Sequence, residues 1–154
     1  SVRYVAKEEG TGQVRMVSAI GKTVPAHGTG VGKVLLSALS PAEFDALIPP
    51  TQKLEQLTDT TFADRDALLA ELATTRERGY ALDDGESTVG LRCVAAPVYD
   101  ATGQMVAAMS ISVPSPRMTE PRQRELLALV LKGTADLSQR LGWIATPANG
   151  VSAW

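Results

Sequence analysis

Residues 79–113 read GYALDDGESTVGLRCVAAPVYDATGQMVAAMSISV, and this stretch decides the fold. Tyr80 to Asp83, Leu91 to Tyr99 and Gln104 to Val113 are short runs set off by turn residues, so three strands are expected. Asp100, Thr102 and Gly103 supply the turn between the last two. Side chains alternate across a strand, so Ser110 and Ser112 share one face while Met109, Ile111 and Val113 share the other. Cys93, on the preceding strand, joins the serines on the polar face if the hairpin register brings it there.

Outward from this segment the pattern becomes helical. From Asp64 to Arg78, Leu68, Leu69, Leu72 and Ala73 form an apolar stripe, and Gly79 takes the C-terminal cap position. Ser40, Pro41 and Glu43 combine an N-cap, a first-turn proline and an early acid, which predicts a short helix to about Ile48, stopped by Pro49 and Pro50. Gly28, Gly30 and Gly32 lead into Val31, Val34, Leu35 and Ala38 at helical spacing, a helix ending near Ser40 and Pro41. Val2 and Tyr4, then Val14, Met16 and Ser18, alternate with polar residues around the turn Glu9 to Gly12, which reads as an antiparallel hairpin. At the other end Leu126, Leu127, Val130, Leu131, Leu137 and Leu141 mark a long helix that Gly142 terminates. The order of strands, three helices, strands and a helix argues for an α+β domain, an antiparallel sheet flanked by helices.

Composition narrows the function. A chain of 154 residues suits one domain, burying roughly 70% of the surface its unfolded form exposes. With a formal net charge of -2 and no long Lys/Arg run, it lacks the electrostatic footprint of a nucleic-acid binder. Cys93 is the only cysteine and His27 the only histidine, which excludes an intrachain disulfide and a cysteine-based zinc cluster and fits a reducing cytoplasm. No metal or cofactor is expected, and no apolar run approaches the roughly 18 to 20 residues of a membrane span. The chain opens on Ser1 and enters a strand-like run at once, as a piece of a longer sequence would. The tail from Pro147 has no periodicity, so the domain is expected over 1–146 and a loose tail over 147–154.

Several constellations invite chemistry. Gly28 to Lys33 suggests a phosphate loop, but Walker spacing would need glycine at His27 and Ser or Thr at Val34. A glycine-rich turn entering a helix still exposes backbone N–H groups, such as those of Gly30 and Val31, toward an anion; the other reading is a tight turn alone. Ser110 and Ser112 either need a polar ligand or face solvent. Cys93 with His27 as base would make a nucleophile, but alternating apolar neighbours suit a buried strand cysteine. Asp83, Asp84 and Glu86 around Gly85 are expected as a solvated turn rather than a catalytic pair.

Taken together these positions resemble the effector-binding domain of IclR-type bacterial transcriptional regulators. The signature portion runs Gly79, three residues, Asp83, two residues, Glu86, six residues, Cys93, Val94, Ala95, two residues, Val98, Tyr99, Asp100. Arg76 to Tyr80, His27 to Leu36 and Ala107 to Val113 are similar to the family in order and spacing. The resemblance implies a GAF-like or PAS-like (profilin-like) architecture with an effector pocket on one sheet face. In relatives sensing small carboxylates such as glyoxylate or pyruvate, the ligand is held by the glycine-turn backbone, an aspartate, a cysteine and two serines. Those positions match Gly30 and Val31, Asp83, Cys93, and Ser110 with Ser112, while Met16 and Gln13 match the pocket wall. Val31 is bulkier and Gln13 more polar than the family's usual residues. The aspartate beside a carboxylate points to a ligand that also carries a hydroxyl or hydrated carbonyl.

The resemblance further implies a homodimer or tetramer and an N-terminal winged helix-turn-helix, absent from this chain, that binds operator DNA. A small organic acid is thus the expected partner of this domain, a membrane is not, and the chain is expected not to be an enzyme. Two other classes remain: a cysteine-based enzyme on a GAF-like scaffold, and an assembly module without a ligand.

Overall fold

A computed structural model describes residues 1–10 and 20–144 of the chain. Near the N-terminus β1 (Val2–Arg3) pairs antiparallel with β2 (Thr23–Val24), Val2 opposite Val24 and Arg3 opposite Thr23. The expected partner strand at Val14 to Ser18 lies outside the described residues, and the pairing with Thr23–Val24 is one that alternation did not indicate. Two residues per strand are too few for a period to register. A 3-10 turn at Ala26–Gly28 then leads into α1 (Gly30–Ser37). This helix ends earlier than expected, with Ala38 as its cap, and buries Val31, Lys33, Val34 and Leu36.

The capping chemistry of the next two helices follows their sequence. α2 (Pro41–Leu47) starts with a complete capping box, Ser40 accepting from the Glu43 amide while the Glu43 carboxylate takes the Ser40 amide. Such a cap contributes about 1 kcal/mol. α3 (Arg65–Arg78) is capped by the Asp64 side chain at the Ala67 amide and ends on Gly79 at φ +78, a left-handed conformation that glycine adopts without strain. The apolar stripe is narrower than expected. Leu68 and Leu72 are buried, but Leu69 and Ala73 are exposed along a groove shared with Leu36, Leu39 and Phe44. Arg65 spans this groove, donating to the Ile48 carbonyl, pairing with Asp45 and lying over the Phe44 ring.

Strands β3 (Ala81–Asp84), β4 (Leu91–Tyr99) and β5 (Met105–Pro114) form an antiparallel sheet in that order. The register aligns Asp83, Cys93 and Ser112 in one row and Ala81, Ala95 and Ser110 in the next. Both rows point to one face, on which Ala81 and Ala95 join Val31, Val34, Leu68 and Leu72 in a core under α1 and α3. The other face presents Leu82, Val94, Ala96, Met109, Ile111 and Val113. There α4 (Glu120–Arg140) packs through Leu126 and Val130, with Met118 beside them. The α+β architecture, an antiparallel sheet between helices, is as the sequence implies.

The seam of α4 departs from the leucine pattern. Its buried residues are Leu126, Val130, Thr134 and Ser138, four apart on one face, while Leu131, Leu137 and Leu141 are partly exposed. A bulge between Val98 and Tyr99 interrupts the ladder, and the Ser138 hydroxyl takes the Tyr99 amide at 2.9 Å. A hydroxyl is therefore needed where the pattern of leucines suggested an apolar side chain. The helix is closed by Gly142 at φ +86.

Candidate functional site

The row Asp83, Cys93, Ser112 crosses the sheet directly beneath the start of α1. Cys93 Sγ lies 2.9 Å from Ser112 Oγ, and Ser110 stands in the adjacent row opposite Ala95. Gly30, the first residue of α1, rests on this row. A Cβ there would come within 3.3 Å of the Ala95 Cβ, 3.6 Å of the Asp83 Cβ and 3.9 Å of the Cys93 Cβ. The first of these is tighter than an ordinary contact, so a side chain at position 30 would press the helix start away from the sheet by a few tenths of an ångström.

Thr29 is the N-cap. Its hydroxyl accepts from the Gly32 amide at 3.0 Å and its carbonyl from the Lys33 amide at 2.9 Å. The amides of Gly30 and Val31 take no partner among the described residues and sit at the positive end of the helix dipole, in buried surroundings. A buried helix start with two free amides suits an anion.

Asp83 is 2% exposed, with one carboxylate oxygen accepting from the Glu86 amide at 2.8 Å and the other from the Ser87 hydroxyl at 2.9 Å. Burial nevertheless raises its pKa above the usual carboxylate range. The Tyr4 phenol is also raised, by burial first and then by Cys93 and Asp83 facing it, so the residue next after β1 brings a further hydroxyl toward this row. Burial and the neighbouring Asp83 push the Cys93 thiol up to about 12. At pH 7 only about one thiol in 10⁵ is then ionised, which suits a hydrogen-bonding thiol and opposes a nucleophilic one. His27 is buried with Nε2 2.7 Å from the Glu55 carbonyl, a structural tie rather than a base for Cys93.

The acidic turn is not solvated as expected. Asp83 and Glu86 are buried, and only Asp84 is exposed, paired with Arg92 Nε at 2.8 Å. The reason is Lys33, 1% exposed on α1, whose Nζ lies 2.6 Å from Glu86 Oε1 and 3.5 Å from Glu71 Oε1 and 5.1 Å from the Phe62 ring centre. Sequence reading missed this pair. The available signal was a lone lysine inside the otherwise uncharged run Gly28 to Leu39.

Thus Gly30, Val31, Asp83, Cys93 and Ser112 gather around one spot, with Ser110 one row away. Met16 and Gln13 lie outside the described residues. A separate cleft of about 550 Å³ opens at the far end of α1, lined by Val34, Leu39, Arg76, Tyr99 and Met105 among others, and contains none of these site residues.

A helix start docked on one face of an antiparallel sheet, with a long helix behind it, is an architecture this chain shares with C-terminal domains of bacterial transcriptional regulators. The chain belongs to the IclR family: the family model described as bacterial transcriptional regulator IclR C-terminal matches residues 1–139. It is 43% identical over 134 residues to the HTH-type transcriptional repressor AllR of Escherichia coli K12, covering 87% of this chain and 49% of AllR. The Thermotoga maritima IclR crystal structure superposes with a TM-score of 0.82 at 31% identity, covering 90% of this chain and 56% of that one. A double mutant of the inducer-binding domain of the transcription factor PobR from Acinetobacter, in complex with 3-hydroxybenzoic acid, gives a TM-score of 0.72 at 28% identity, with coverages of 87% and 75%. The chain spans about half the length of the curated relatives it matches. These relatives are transcriptional regulators, and no helix among the described residues is long and apolar enough to cross a membrane.

Proposed function

We propose that residues 1–146 are the effector-sensing domain of a cytoplasmic transcriptional regulator and bind a small organic acid bearing both a carboxylate and a hydroxyl or hydrated carbonyl. The carboxylate takes the Gly30 and Val31 amides and the hydroxyls of Ser112 and Ser110. The ligand hydroxyl meets Asp83 and the Cys93 thiol. The observation that carries this reading is the pair of buried amides, without a partner among the described residues, seated over the Asp83, Cys93, Ser112 row. An acidic ligand bound to PobR's inducer-binding domain supports the same chemistry by analogy.

A ligand between α1 and the sheet regulates only by favouring one arrangement of the assembly over another. We infer a homodimer or tetramer whose operator-reading winged helix-turn-helix lies N-terminal to this domain. No catalytic step is assigned.

A thermal-shift screen of glyoxylate, glycolate, pyruvate and 3-hydroxybenzoate tests the reading. At a hundred times its dissociation constant a ligand stabilises by about 2.7 kcal/mol, a displacement of roughly 5 to 10 °C for a domain of this size. Asp83→Ala is expected to weaken glycolate more than acetate, its analogue without the hydroxyl. No displacement by any acid would favour an assembly module instead.

A further inference from the structure

Behind the proposed effector site lies a buried charge cluster that none of the site residues explains. Lys33, on the first turns of α1, is held against Glu86 at 2.6 Å and Glu71 at 3.5 Å, and Glu71 in turn takes Arg78 at 2.7 Å. Asp83, three residues before Glu86, receives the Glu86 amide. The hydroxyls of Thr58 and Thr61 fix the Glu86 carbonyl, at 3.3 and 2.7 Å. The Glu86 carboxyl is thereby pinned between α1 and the β3–β4 turn. Its Oε2 atom is buried and has no hydrogen-bond partner among the described residues.

The charges do not balance. Facing Glu86 are Lys33 from α1, Asp83 from β3 and Cys93 from β4, with Glu71 and Arg78 of α3 reached through Lys33, and Tyr4, next after β1, beyond Asp83. Lys33 and Arg78 bring two positive charges against the three carboxylates of Asp83, Glu86 and Glu71. The thiol and the phenol are neutral near pH 7. An anion arriving on the Gly30 and Val31 amides would add a further negative charge to a cluster whose acids already outnumber its bases, in surroundings where screening by water is weak.

Resting on the effector reading, we propose that Lys33 and Glu86 are the charge-balancing pair of the site, Glu86 taking up a proton from solvent when an organic anion seats at the start of α1. Among the carboxyls of the cluster Glu86 is the suited acceptor. Burial, outweighing Lys33, holds it at about 7, so it is part-ionised near neutrality. An added anion raises it further. Binding of an acid therefore consumes up to one proton, and affinity falls by up to tenfold per pH unit above about pH 7. Below that range Glu86 is already protonated and the dependence flattens.

The test is calorimetric titration of the protein at pH 7.5 with glycolate, glyoxylate and 3-hydroxybenzoate, each in phosphate and in Tris, whose ionisation heats differ widely. The expected result is a heat difference corresponding to uptake of between half a proton and one per acid bound, lost in Glu86→Gln while that variant still binds. Binding with equal heat in phosphate and in Tris, or a proton uptake unchanged in Glu86→Gln, would overturn the proton coupling and leave the effector site standing. Failure of all three acids to bind between pH 5.5 and 8 would remove the effector reading, and the coupling with it.

Discussion

Gly32→Ala gives a sharp test of how α1 is seated. Gly32 has no positive φ, so its backbone conformation permits any residue, and a lone alanine in a helix is ordinarily favoured over glycine by about 1 kcal/mol. The structure reverses that expectation. A Cβ at position 32 would lie 2.0 Å from the Ala26 carbonyl oxygen and 2.6 Å from both its carbonyl carbon and Cα. These are backbone atoms of the preceding 3-10 turn, which no rotamer change can move. Restoring an acceptable contact requires opening the junction by about 1 Å, and the Gly32 amide would draw away from the Thr29 hydroxyl as it moved. Overpacking costs about 1–3 kcal/mol and a weakened N-cap about 1, against a propensity gain of about 1, for a net loss of about 1–3 kcal/mol. For a domain of this length that is a melting temperature lower by roughly 2 to 12 °C. Gly28→Ala is the control. Its Cβ would meet Leu57 Cδ1 at 2.8 Å and Thr61 Cγ2 at 3.3 Å, side-chain atoms that can shift, so a smaller loss is expected. Thermal denaturation of both variants decides the matter, and a Gly32→Ala protein melting within a degree of the parent, or above it, would refute the reasoning.

Glu86 should make stability depend on pH. Its folded-state pKa of about 7 lies above the ordinary 4.5, so its contribution is fully present below pH 4.5 and is lost as pH rises through 7, a fall of about 3 kcal/mol. Glu86→Gln should flatten that part of the melting curve between pH 5 and 8, and parallel curves for the two proteins would exclude it. Ser138→Ala should cost about 1–2 kcal/mol by stranding the Tyr99 amide at the bulge, read by chemical denaturation; a loss below about 0.3 would mean that amide finds another partner. Cys93 should react with iodoacetamide far more slowly than free cysteine at pH 8 in the folded protein and at the free rate in denaturant. Equal rates in both states would contradict the buried, protonated thiol.

The strands β3 to β5, the caps at Ser40 and Gly79, and the long C-terminal helix were legible because each rests on local signals a few residues wide. The alternation of Ser110 and Ser112 against Met109, Ile111 and Val113 likewise assigned their faces before the register was known, and the register then set Cys93 opposite Ser112. The residues missed are polar groups whose surroundings are made by distant segments. Leucine spacing on α4 drew attention to Leu137, whereas the buried position is Ser138, committed to an amide thirty-nine residues away in the chain. The acids after β3 have the composition of a solvated turn, and nothing local marks the lysine fifty-three residues earlier that draws Glu86 inside.

From the chain alone came the α+β class, the strand faces, the helix ends, the IclR resemblance and the residues that would meet an acid. Those depend on periodicity and on residue type at short spacing. Folding in three dimensions decided that the Gly30 backbone rests on the Asp83, Cys93, Ser112 row, that Gly32 admits no side chain, and that Lys33 and Glu86 face one another out of water. A buried charge or a close backbone approach is a relation between surfaces far apart in sequence, and its energy comes from the solvent that packing excludes.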